Sequence, residues 1–148
     1  MFERDQIEAI LNRYEDAIRR RDAEAVVADY APDAVGFDLA PPLVQDGEAL
    51  RDAGAIRQWL DTWEDDLRVT HAKPEILQDG DLAVLYGLQR MTGTKKGEGP
   101  VDMWFRATCA LRRIAGEWKI VHIHTSVPFA MDGSGKALLD LTPDRAAA

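Results

Sequence analysis

His122 and His124 stand two apart in the run Trp118-Lys119-Ile120-Val121-His122-Ile123-His124-Thr125-Ser126-Val127. The run reads as a strand, which puts both imidazoles on one face roughly 6.6 Å apart. Histidine titrates near neutrality, so either ring has the chemistry to take up and return a proton. Two imidazoles with Asp38 as a third ligand would also suit a metal. The spacing favours instead a pair that hydrogen-bonds Ser126, Tyr14 or a ligand, and no metal is expected. Asp38 follows the short run Val35-Gly36-Phe37. A carboxylate among apolar neighbours at a pocket mouth can abstract a proton next to a carbonyl. Its plainer role is a strand-end aspartate bonded to a nearby turn or to Arg106. A buried arginine needs such a partner, and Arg106 would otherwise bind a ligand's carboxylate. Trp59, Trp63 and Trp104 are suited to wall a flat, apolar ligand, although core packing accounts for at least one of them.

The elements that position these residues divide the chain in two. Ile7, Ile10, Leu11, Tyr14 and Ile18 recur at helical spacing, with Arg19-Arg20-Arg21 at the C-terminal end, where cations suit the dipole. Tyr14 lies on that apolar stripe, where a core aromatic with a satisfied hydroxyl is the default. Asp22 reads as the N-cap of a second short helix with Val26, Val27 and Tyr30 inward. Pro32 stops it. Val35 to Leu39 reads as a short strand broken by Pro41-Pro42, and a third helix runs from about Asp52 to Trp63. The second half reads as strands: Val69 to Leu77, with Pro74 marking an edge or a bulge, then Leu82 to Thr92, Val101 to Arg113, and Trp118 to Val127. Turn signals fall at Asp79-Gly80, Lys95 to Gly99 and Ala115-Gly116. After Pro128 the pattern is lost, with a loop at Asp132 to Gly135 and a frayed end at Arg145–Ala148. Residues 1–130 are expected to form one domain and 131–148 a C-terminal tail.

Helices followed by a run of strands imply an α+β fold, a strongly curved and mostly antiparallel sheet wrapped on three N-terminal helices as a cone-shaped barrel. Strand parity gives two readings. Trp118, Ile120, His122, His124 and Ser126 share one face if no bulge intervenes, and Asp102, Trp104, Arg106 and Thr108 share one on the neighbouring strand. If that mixed face looks inward, it forms a pocket, apolar at the floor and polar at the mouth. Met103, Phe105, Ala107, Cys109 and Leu111 then lie outside and pack two sheets together as a homodimer. Cys109 would be a small hydrophobe on that outer face. In the opposite reading the apolar face packs on the helices, and His122, His124 and Arg106 are wet.

Composition bounds the partners. The chain has 148 residues, the size of one domain, and a net charge of −8. Residues 1–66 hold 17 acids and 7 bases, and residues 67–148 hold 9 acids and 11 bases. The basic pairs Lys95–Lys96 and Arg112–Arg113 are isolated, so no nucleic-acid partner is expected. A single cysteine excludes an internal disulfide and a cysteine zinc site. No apolar run approaches a membrane span or a signal-peptide core, so a cytoplasmic location and no membrane partner are expected.

Four stretches resemble the SnoaL-like and ketosteroid-isomerase-like branch of the nuclear-transport-factor-2-like superfamily. They are Arg13-Tyr14 to Asp22, Tyr30-Ala31-Pro32-Asp33-Ala34, Phe37-Asp38-Leu39-Ala40-Pro41-Pro42-Leu43, and Gly116 to Pro128. The resemblance implies the cystatin-like cone, often dimeric, and favours His122 and His124 pointing inward. Steroid isomerases of this group use a first-helix tyrosine as oxyanion donor, a first-strand aspartate as base and a protonated aspartate as second donor, a worked case of tuned acidity. Tyr14 and Asp38 stand in the matching contexts. The third position falls on Asp102 by local match or on Thr108 by counting back from Gly116. The implied function is a pocket for a small organic molecule with a cofactor-free proton transfer on a carbonyl compound, such as isomerisation or dehydration. Asp38, Tyr14, His122 and His124 would be catalytic. Tyr30, Trp59, Trp63, Trp104, Arg106, Thr108 and Ser126 would line the ligand. The alternative is a non-catalytic ligand-binding or dimerisation domain.

Overall fold

The apolar stripe of the first helix is buried as its spacing predicts: Ile7, Ile10, Leu11 and Ile18 all lie in the core. In the computed structural model, which describes residues 3–143, this helix is α1 (Glu3–Arg20). It is followed by α2 (Ala23–Val26), β1 (Tyr30–Phe37), α3 (Gly47–Leu50) and α4 (Ala53–Leu60). The strands β2 (Arg68–Asp79), β3 (Leu82–Lys95), β4 (Gly99–Ile114) and β5 (Glu117–Ser126) complete the regular structure among the described residues. The frayed end expected at Arg145–Ala148 lies outside the described residues. Asp22, Asp46 and Asp52 cap α2, α3 and α4, each accepting from a backbone N–H three residues on. The four-residue α3 is a helix that periodicity does not reveal. It docks by close approach: a Cβ at Gly47 would stand 2.0 Å from the Pro32 carbonyl oxygen.

The fold is α+β. The five strands form one curved sheet in the order β1-β5-β4-β3-β2, antiparallel throughout except for the parallel pair β1 and β5. β1 and β2 are the edge strands, and the β2 ladder shifts between Ala72 and Glu75, where Lys73 takes φ 45° beside Pro74. The β4–β5 hairpin turns through Ala115 and Gly116, both with positive φ (51° and 83°), the geometry a two-residue turn of this hand requires. No described helix is long and apolar enough to cross a membrane.

A second bulge decides which face of the sheet looks inward. Leu111 pairs with Ile120 but Ala110 pairs with His122, which leaves Val121 as an extra residue in β5. Parity therefore breaks at Val121. Trp118 and Ile120 face the helices, and so does Ile123 beyond the bulge. His122, His124 and Ser126 turn to the opposite face, opposite Ala110, Thr108 and Arg106. On β4 the apolar set is the inner one: Phe105, Ala107, Cys109 and Leu111 are buried, and Met103 packs against the core. The expectation that this set lies outside, with Cys109 on an outer apolar surface, is corrected. One cluster joins α1 to Ala83, Leu85, Cys109, Leu111, Trp118 and Ile120; a second joins Ile18, α2 and Leu60 to Trp63, Val69 and Phe105.

Candidate functional site

The sheet divides the expected site residues into two groups on opposite faces. Tyr14, Tyr30 and Asp38 belong to the helix-facing side. Tyr14 projects from α1 against the cluster around Phe105, and Tyr30 opens β1 opposite Ile120. Both rings lie deep among neighbours yet keep some surface reachable by solvent. Neither hydroxyl has a hydrogen-bond partner among the described residues. Asp38 follows β1 at the rim. Its Oδ1 accepts from the Leu39 backbone N–H (2.7 Å) and from the Thr125 hydroxyl (3.0 Å). Thr125 pairs with inward-facing Ala107, so the bond ties Asp38 to the inner side of β5.

Electrostatics link these groups. Burial first, then the Asp38 carboxylate and Cys109, push the Tyr14 phenol up to about 12. Burial pushes the Tyr30 phenol up as well, followed by Tyr14, Cys109 and Asp38. Burial alone pushes the Cys109 thiol up to about 12, so it stays protonated and unreactive at neutral pH. Tyr14 is therefore a neutral donor near a carboxylate.

The second group faces away from the helices. His122 Nδ1–H donates to the Val35 carbonyl (2.7 Å), and the Phe37 ring stands edge-on to His122 and His124, 4.7 and 5.4 Å between centroids. Arg106 Nε donates to the Ser126 hydroxyl (3.1 Å), not to Asp38. Asp102 accepts from Arg90 Nε and Nη2 (2.8 and 2.6 Å), which holds its carboxyl below the usual range. The expected hollow shared by the histidines and Asp38 is thus corrected: the bulge at Val121 puts the rings on the far face. Asp102 and Thr108 also face outward, so neither stands in a second oxyanion-donor position. Among the described residues no three histidine, cysteine, aspartate or glutamate side chains are grouped to hold a metal ion. Trp104, Arg106 and Thr108 do line a cleft, about 810 Å³, but it is an open groove on the outer face, bordered by Tyr86, Arg90 and Pro143. Trp63 is core, edge-on to Trp59 at 6.0 Å.

Three polar residues on the inner side escape the sequence reading. Thr125 was hidden by the bulge. Gln89 is the one buried polar side chain among the described residues and has no hydrogen-bond partner there. A signal for it exists: in β3 it shares parity with Ala83, Leu85 and Met91, a polar residue in an apolar row. Its cross-strand neighbour His71 is bonded to α1, since Glu15 Oε1 accepts from the His71 backbone N–H (2.6 Å) and from its ring Nδ1–H.

The profile of the SnoaL-like domain family matches residues 7–130, and the chain belongs to that family. No curated protein matches it significantly. Among solved structures, it is similar to an NTF2-like protein of unknown function from Pseudomonas putida KT2440, with 31% identity over 94% of this chain and 95% of that one and a TM-score of 0.81. A ketosteroid isomerase-like protein from Erwinia carotovora atroseptica SCRI1043 shares 25% identity over 82% of this chain and 93% of its own, with a TM-score of 0.66. An NTF2-like protein from Novosphingobium aromaticivorans with a cystatin-like fold is 18% identical over 89% and 84% of the two chains, TM-score 0.68, a likeness of fold alone.

Proposed function

We propose that the inner side of the sheet binds a small, uncharged organic molecule bearing a carbonyl, and that Asp38 and Tyr14 move a proton beside that carbonyl without a cofactor. The observation that carries this reading is the Tyr14 hydroxyl: deep in the chain, unpartnered among the described residues, and within the field of the Asp38 carboxylate. Tyr14 donates to the carbonyl oxygen, where negative charge develops. Asp38 takes the proton from the adjacent carbon and returns it to the γ-carbon as the double bond moves into conjugation, so nothing is oxidised or reduced. Thr125 and the Leu39 N–H hold one carboxylate oxygen and leave the other free. The test is conversion of a β,γ-unsaturated cyclohexenone to its conjugated isomer. Asp38→Asn should lower turnover about 100-fold or more, and Tyr14→Phe about 100-fold. Turnover indifferent to Asp38→Asn overturns the base assignment. A probe held without turnover favours the non-catalytic binding alternative, which the exposure of Asp38 at the rim keeps in view.

We further propose that the outer face of the sheet joins two copies of the chain. Val35, Phe37 and Tyr86 are exposed on it, among Trp104, Arg106 and the two histidines. Exposed apolar and aromatic side chains gathered on one face mark an interface.

A further inference from the structure

β4 sends a regular row to the outer face, in which Trp104, Arg106 and Thr108 stand opposite Arg90, Leu88 and Tyr86 of β3. Beyond β3, the bulge in β2 sets two residues, Lys73 and Pro74, against the single Gly87. This stretch of β2 and the C-terminal segment at Thr142 and Pro143 border the outer row and make it an open groove of about 810 Å³, a volume in the range of small-molecule sites. Val35 and Phe37, the exposed apolar pair of β1, lie at the opposite end of the strand order from β2. A contact between copies centred on that pair does not by itself cover the groove.

The groove sorts its charges. Arg90 gives Nε and Nη2 to Asp102, and its guanidinium lies over the Trp104 ring, 5.6 Å from the centroid. That ion pair is neutral and holds the indole as a wall. Arg106 gives Nε to the Ser126 hydroxyl, which orients the guanidinium and leaves both Nη groups without a partner among the described residues. Lys73 lines the groove and meets no carboxylate among the described residues, and Glu75 is the one carboxylate on the lining. Two such cations against one anion leave a single positive charge here, in a chain whose net charge is −8. Trp104 and Arg106 are two residues apart on one strand, roughly 6.6 Å. A flat ring lying on the indole therefore brings an attached acid group to the guanidinium, where a carboxylate accepts from both Nη groups side by side. Glu75 repels a second negative charge, which favours a monoanion over a phosphate dianion.

We propose that this groove is a separate site for a small aromatic carboxylate, its ring on Trp104 and its acid group on Arg106. It does not rest on the interior reading. The experiment titrates 2-naphthoate into isotope-labelled protein and follows the Trp104 indole N–H signal by NMR, assigned by its loss in Trp104→Phe. The control is 2-naphthalenemethanol, the same rings without the charge. The expected result is a saturable shift of the Trp104 signal with naphthoate and none with the alcohol. Naphthoate affinity should be about tenfold weaker in Arg106→Gln, roughly threefold weaker in Lys73→Gln, and unchanged in Tyr14→Phe. Arg106 and Lys73 are both exposed, so neither substitution removes core packing. An unmoved Trp104 signal, or equal affinity for the alcohol, overturns the site. Naphthoate binding that weakens in Tyr14→Phe and is untouched in Arg106→Gln puts the acid inside the sheet and overturns it as well.

Discussion

Tyr14 is the residue on which the proposed chemistry turns, because its environment favours the neutral phenol. Burial and the Asp38 carboxylate both favour the neutral phenol in the folded chain, pushing it up to about 12 from the ordinary 10.0. The sign follows from linkage. Below pH 10 both states hold the proton and the stabilisation is complete; as pH rises through about 12 the unfolded chain has released it and the folded chain is forced to follow, so stability falls. Tyr30 acts in the same direction. Urea melts across the alkaline range should therefore show a midpoint that falls above pH 10 in the wild type and falls less steeply in Tyr14→Phe. Asp38 and Tyr14 were singled out in the sequence because each sits beside a recognisable local context, and the structure places both toward the helix-facing side of the sheet. Gln89 was not singled out, since a lone polar residue in a strand stands out only once its face is known to be closed.

At the scale of elements, one residue separates the expected arrangement of these side chains from the one in the structure. The helices other than α3, the turns and the strands follow from periodicity and turn chemistry, and the edge character of β2 follows from Pro74. The bulge at Val121 leaves no mark in composition: a β-branched residue suits a regular strand and a bulge alike, yet the extra residue turns every later side chain of β5 to the other face. His122 and His124 thereby leave the interior, and Thr125 enters it. A second element-level device is the clasp between α1 and β2. Glu15 takes two hydrogen bonds from His71, both side chains largely shielded, and so fixes the helix turn that carries Tyr14. Glu15→Ala strips both bonds and leaves the His71 N–H without its acceptor. It should cost about 2 kcal/mol of stability, read as a lower urea midpoint with an unchanged slope; an unchanged midpoint would show that the clasp contributes nothing.

At the scale of the molecule, the proposed function gives the two surfaces of the sheet separate tasks. The α+β cone was legible from the order of helices and strands and from the four family-like stretches; the assignment of tasks to surfaces was not, because it depends on the bulge. The outer surface is assigned to assembly. Tyr86, 41% exposed there, stands opposite Thr108, which in turn faces His124. Tyr86→Lys should shift sedimentation from dimer to monomer without lowering the thermal midpoint of the inner core; a wild-type monomer at every concentration would refute the assembly. The inner surface is assigned to the ligand, and crystals soaked with 2-cyclohexenone test that assignment most directly. The account predicts the enone oxygen within hydrogen-bond reach of the Tyr14 hydroxyl with its ring near Asp38. Enone seated instead between Trp104, Arg106 and Thr108, with the Tyr14 side empty, would contradict it.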